Sequence, residues 1–215
     1  MQRSNSKLRR LVSANAWKWK KPDGSPYPPV FATFTFAEEI RDPKITNKIF
    51  SKFIKRLNYE IGYDKKSFLK YVTVIEFQDF SRDGVVHYHT IFFNLPFIIK
   101  NLLAEIWGQG FINIHKIDHV DNAGAYVSKY MSKHFEDDRL DGLKRYFSSK
   151  GLLKPREILR QSQAEAIAST IPIQYLVKEK EFESKYQGKV VYKQYLLDKT
   201  QSLIDVVPDS IYFND

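Results

Sequence analysis

The sequence has no cysteine, which excludes a disulfide framework and a thiolate zinc site. That lack agrees with a reducing compartment, and a cytoplasmic location is expected. No apolar run approaches the roughly 18 residues of a membrane span, and the polar N-terminal stretch lacks the apolar segment of a secretory signal. A Gly-x-x-x-x-Gly-Lys-[Ser/Thr] phosphate loop is missing too, which excludes an attached helicase of that type. There is no internal repeat. No Asp or Glu precedes Asp23.

What is present is basic. Across 215 residues, 34 Lys and Arg face 25 Asp and Glu, giving a formal net charge of +9 and a pI near 9.4. Such a surplus favours a polyanionic partner, nucleic acid before an anionic membrane. In the acid-free stretch, Arg9 and Arg10 are followed by Trp17-Lys18-Trp19-Lys20. Alternating indoles and ammonium groups suit base stacking plus phosphate contact, so these six residues are candidate DNA-binding residues. The competing reading is a solvated tail whose tryptophans dock onto the domain.

The chain is organised around Val85-Val86-His87-Tyr88-His89-Thr90-Ile91-Phe92-Phe93. Its β-branched and aromatic residues read as a strand, and Asp83-Gly84 before it is a hairpin-turn signal. On a strand His87 and His89 share a face while Tyr88 takes the other. Residues 69–78 read as the hairpin partner. A two-residue turn would set Glu76 opposite Ile91, on the histidine face, and a slip of two residues would not change that face. A carboxylate among Val, Ile and Phe needs a cation or a donor. Glu76, His87 and His89 are therefore candidate metal ligands. Mixed oxygen and imidazole ligation suits Mn²⁺ better than Mg²⁺, with substrate phosphate filling open positions.

Around this hairpin, periodicity predicts a strand at 30–36 and a helix opened by Asp42-Pro43 and closed by Gly62, with Ile45, Ile49, Phe53 and Leu57 inward. A helix from Pro96 to Gly108 and a strand at 111–116 follow. Residues 121–134 read as a second capped helix, on which Tyr126, Lys129, Tyr130 and Lys133 share one stripe beside apolar Ala123, Val127 and Met131. The order β-α-β-β-α-β-α predicts an α+β fold, a central antiparallel sheet backed by helices. Beyond it, a short strand and turn at 146–151, a helix at 155–168 and a hairpin around Gln187-Gly188 are expected. The organisation read from sequence is a basic segment, 1–29, a core, 30–138, and an extension or small subdomain, 139–215.

Phe31-Ala32-Thr33-Phe34-Thr35-Phe36, His87-Tyr88-His89 and Tyr126-Val127-Ser128-Lys129-Tyr130 occur in the order of three motifs of the HUH-superfamily endonucleases. Within them the chain resembles the rolling-circle replication initiators of plasmids and single-stranded DNA phages. The centre of the metal motif differs, with Tyr88 in place of a hydrophobic residue. The resemblance covers roughly residues 30 to 135 and implies a sandwich shared with RNA-recognition folds. It implies metal-dependent nicking and joining of single-stranded DNA at a replication origin through a 5′-phosphotyrosine, with Mn²⁺ or Mg²⁺ as cofactor. Tyr126 and Tyr130 would be the nucleophiles, with Tyr126 slightly favoured, and Lys129 and Lys133 the assisting cations. Helicase and polymerase would be separate host proteins. The same chemistry could serve plasmid mobilisation or transposition, and a non-catalytic binder of single strands is the remaining alternative. His115, His119 and His134 match no motif.

Overall fold

The computed structural model describes residues 2–62, 68–117, 137–186 and 188–197. They fall into two compact units, Met1–Pro155 and Arg156–Asp215.

The first unit is built on a five-stranded antiparallel sheet in the order β4-β1-β3-β2-β5. Its strands are β1 (Val30–Phe34), β2 (Tyr71–Gln78), β3 (Val85–Phe92), β4 (Ile112–Lys116) and β5 (Tyr146–Ser148). Its helices are α1 (Gln2–Asn15), α2 (Pro43–Glu60), the single turn α3 (Asp79–Arg82) and α4 (Lys100–Trp107). Strand β3 lies between β1 and β2, so β1-α2-β2 is a split β-α-β unit. The expected α+β class is what is found. Strand β5 pairs with β2 and adds the fifth strand.

The helices α2 and α4 back one face of the sheet. Asp42 caps α2, its carboxylate accepting from the Lys44 amide at 2.7 Å, with Pro43 in the first turn. The face it buries carries Thr46, Phe50, Phe53, Ile54 and Leu57. The inward row expected through Ile45 and Ile49 is thus displaced by one position: Ile45 is 50 % exposed. The displacement lets Phe50 reach Phe34 and Tyr88, at ring-centroid distances of 5.7 and 5.0 Å. Trp107 closes this core, fully buried, and its indole N–H donates to the Thr35 carbonyl at 2.9 Å. Helix α4 starts at Lys100 and not at Pro96, because Ile99 is still extended (φ −68°, ψ 134°). Gly108 ends it in the left-handed region, φ 61°.

The opposite face is covered at one end by α1, a segment that reads from sequence as a basic tail. Leu8 and Val12 are fully buried and, with Ala16, form a second apolar cluster with Phe31, Val72, Val74, Ile91, Phe93 and Ile117. Positions 8, 12 and 16 lie on one helical stripe, and Arg10 is left exposed beside it. Asn15 fixes the end of the helix. Its side-chain amide donates to the Leu153 carbonyl at 2.9 Å, while its oxygen accepts from the Leu153 amide, also at 2.9 Å.

In the second unit, α5 (Gln161–Thr170) precedes the hairpin β6 (Leu176–Ser184) and β7 (Gly188–Tyr195). The helix is shorter than expected at its start, where residues 155–160 are non-helical. No helix among the described residues is long and apolar enough to cross a membrane.

Docking of α1 predicts that Leu8→Ala lowers the unfolding free energy by about 2–5 kcal/mol. Lys7→Ala, next to it but exposed, should stay within about 0.5 kcal/mol of the parent. Urea unfolding of both variants measures the difference, and equal effects would mean that this stripe is not buried.

Candidate functional site

Glu76 on β2 lies directly opposite His87 on β3, and Val74 lies opposite His89. All three candidate ligands therefore project from the face turned away from α2 and α4. The two-residue turn expected at Asp83-Gly84 does not form. The chain first makes the helical turn α3, and then Asp83 (φ 46°) and Gly84 (φ 78°) take left-handed conformations. The strands close at Gln78 and Val85. The position facing Glu76 moves by four residues, from Ile91 to His87, and an even shift preserves the face.

His89 is held from three sides. Its Nδ1 is 3.0 Å from the Thr33 hydroxyl of β1. Its ring stacks on Phe31 with centroids 5.8 Å apart and planes 15° from parallel. Its Nε2 contacts Glu76 Oε2 directly, the imidazole being 13 % and the carboxylate 24 % exposed. A hydroxyl on one ring nitrogen fixes the ring so that the other faces the ligand position. Phe31 and Thr33 belong to the strand motif seen in the sequence, which assigns them no role at the site. The missing information was the β1–β3 register, which pairs Thr33 with His89.

His87 is more buried, at 7 % exposure. Its Nε2 is a buried nitrogen with no hydrogen-bond partner. Burial pushes its pKa below the usual imidazole value; Glu76 opposes that, and His89 and Arg82 reinforce it. The neutral imidazole is the form that ligates metal. A carboxylate, an oriented imidazole and a buried imidazole with an unsatisfied nitrogen fit a divalent ion that accepts oxygen and nitrogen donors. Among the described residues no group of three His, Asp or Glu side chains already forms a closed metal cage. The three share a face, with Glu76 and His89 touching.

The connection beside this face is clamped by Arg139. Its guanidinium donates to both oxygens of Asp79, at 2.6 and 2.8 Å, and to Asp137. These carboxylates raise its pKa, with Asp137 the larger cause. The guanidinium also lies 4.1 Å from the centre of the Phe77 ring. A side chain on Gly84 would come within 2.8 Å of it.

Tyr126, Lys129, Tyr130 and Lys133, with His119 and His134, lie outside the described residues. The residues that flank them are held by the first unit. Ile117 is fully buried and its amide donates to the Pro29 carbonyl at 2.8 Å. Asp137 joins the Arg139 clamp beside α3. His115 shares the site's face, its ring 5.3 Å from Phe31.

Of the candidate DNA-binding residues, Arg10 and Lys20 are exposed and Arg9 and Lys18 half-buried. Trp17 and Trp19 pack against the second apolar cluster. The Lys70 ammonium sits 5.1 Å from the centre of the Trp19 ring. The tryptophans thus dock on the domain through at least part of their surface.

Residues 29–135 match the family model of replication-associated protein ORF2. The match runs from just before β1 through the tyrosine-bearing segment and includes Glu76, His87 and His89. Over that span the chain is similar to replication-associated proteins. No curated protein and no solved structure matches it.

The lowered pKa of His87 has a consequence for metal-free protein. Below about pH 6.5 the unfolded chain binds a proton that the folded His87 resists. Stability from this residue is present above that pH and lost as the pH falls through it. The melting temperature of His87→Gln should therefore fall less than that of the parent between about pH 7 and pH 5. Thermal melts in EDTA measure this, and identical pH dependence would mean that His87 titrates as in the unfolded chain.

Proposed function

We propose that this protein is a metal-dependent DNA strand transferase of the HUH type, which nicks and rejoins single-stranded DNA to initiate rolling-circle replication of a plasmid or phage. The observation that carries this reading is the gathering of Glu76, His87 and His89 on one sheet face, within a span that matches a replication-associated family. Glu76, His87 and His89 would hold Mn²⁺ or Mg²⁺, which supplies Lewis-acid charge to the scissile phosphate.

The remaining chemistry belongs to side chains of this chain. The hydroxyl of Tyr126 or Tyr130 attacks the phosphorus and loses its proton as the tyrosine O–P bond forms. The P–O3′ bond breaks, and the departing oxygen takes up a proton to become a free 3′-hydroxyl. The 5′-phosphotyrosine keeps the bond energy, so a 3′-hydroxyl can later reverse the step without ATP. Lys129 and Lys133 would stabilise the developing phenolate. Two tyrosines suit successive transfers, and the same steps would also serve mobilisation or transposition. Helicase and polymerase activities would come from host partners.

A binding-only function has one observation in its favour, the direct Glu76–His89 contact, which engages two candidate ligands with each other. Incubation with single-stranded DNA and Mn²⁺ separates the readings, because only the nuclease forms a covalent adduct.

His87→Ala and His89→Ala should abolish nicking while retaining most DNA binding, since phosphate contacts dominate affinity. Thr33→Val, which removes only the hydroxyl on His89 Nδ1, should cost about 10–100-fold in metal affinity or nicking rate. Calorimetry showing unchanged Mn²⁺ affinity in all three would defeat the ligand assignment. Either Tyr126→Phe or Tyr130→Phe should still form some adduct, and only the double variant none. Peptide mapping of the trapped adduct reads this out, and DNA attached at neither tyrosine would remove the mechanism.

A further inference from the structure

The β6–β7 hairpin of the second unit has two faces of different chemistry. Directly opposed residues share a face. One face carries Glu179, Glu181 and Glu183 against Lys193, Val191 and Lys189. Its charges are matched locally: Lys193 pairs with Glu179 at 3.1 Å and Lys189 with Glu181 at 3.0 Å. The other face carries Lys178, Lys180 and Phe182 against Gln194, Tyr192 and Val190. It has no carboxylate. Lys178 and Lys180 make no ion pair among the described residues, and Phe182 and Tyr192 are 53 % and 43 % exposed. A two-stranded hairpin with neither face buried is marginal by itself. Exposed rings beside unneutralised ammonium groups add to that cost unless something covers them.

We infer that this carboxylate-free face is a second DNA-binding surface, on which Phe182 and Tyr192 stack unpaired bases while Lys178 and Lys180 contact the backbone. Single-stranded DNA fits better than duplex, because an exposed ring needs a free base face and duplex bases are already stacked on each other. Tyr192 directly opposite Lys180 sets a ring beside an ammonium group, the pairing that one nucleotide, with its base and phosphate, would use. The opposite face repels a polyanion, having three glutamates against two lysines. The hairpin would then add contacts on single-stranded DNA to those of the proposed nicking site. This extends the DNA-processing reading, but its test involves no cleavage and is independent of whether either tyrosine reacts.

Fluorescence anisotropy of the full chain in EDTA, with labelled oligothymidylate and with a duplex of equal length, decides the matter. Lys178→Gln/Lys180→Gln should weaken single-strand binding and flatten the slope of log affinity against log salt by about 1.4, roughly 0.7 for each phosphate that is no longer neutralised. Phe182→Leu keeps apolar contact with Val190 but removes the ring. It and Tyr192→Leu should each weaken binding about fivefold or more. Lys189→Gln/Lys193→Gln, on the neutralised face, should bind as the parent does. Parent-like affinity in the ring and lysine variants overturns the inference. So does an equal weakening in the control, or a weakening of duplex binding as large as that of single strands.

Discussion

The register of β3 against both neighbours is the constraint on which this molecule depends. Buried backbone groups must be paired, and a central strand can satisfy both its edges in few registers. Once Val74 faces His89 and Thr33 faces it from the other side, the rest of the candidate site follows. Glu76 must meet His87, Phe31 must lie beside the His89 ring, and Tyr88 must enter the opposite core. There its hydroxyl lies 2.7 Å from Thr46 and 2.6 Å from Asn47, and burial raises its pKa well above the ordinary phenol value. The tyrosine at the centre of the His-x-His triplet is therefore a buried packing residue with satisfied polar contacts. That accounts for a polar residue at a position where the resembled motif carries a hydrophobic one.

The sheet face that bears Glu76, His87 and His89 divides its labour along its length. One end is apolar and lies under α1; the other is polar and less completely covered. Because the two share strands, α1 and the candidate ligands are mechanically coupled through Val72–Val74–Glu76 and His87–His89–Ile91. Removing the N-terminal segment to test its part in DNA binding would also uncover the sheet beneath Leu8 and Val12. Point substitutions at Arg10 and Lys20, both exposed, separate the charge from the packing.

Most of the sheet was legible because strand alternation and helix periodicity are local. The face shared by Glu76, His87 and His89 was legible for a simple reason: parity survives an even slip, so even the wrong turn gave the right face. The turn itself was misread because Asp83-Gly84 is a valid left-handed pair whose sequence does not reveal the helical turn before it. The inward row of α2 was set one position away because Ile45 is apolar, yet tertiary packing favours Phe50. Helix α1 was hidden by its arginines and lysines, although Leu8, Val12 and Ala16 already carried a four-residue period. Thr33 and Phe31 needed a pairing 56 residues apart in the chain, which no local pattern encodes.

The Asn15–Leu153 clamp also sets an order of events during synthesis. Its two residues are separated by 138 positions, which at translation rates of about 5–20 residues per second is a delay of roughly 7–28 s. Through that interval α1 exists without the complete sheet it covers, its leucine and valine stripe open to chaperones. The sheet face that carries the histidines is likewise unfinished, since β5 and the clamp are made last. A nascent chain therefore acquires its basic N-terminal surface long before its candidate ligands are assembled, so attraction to polyanions precedes any capacity to act on them.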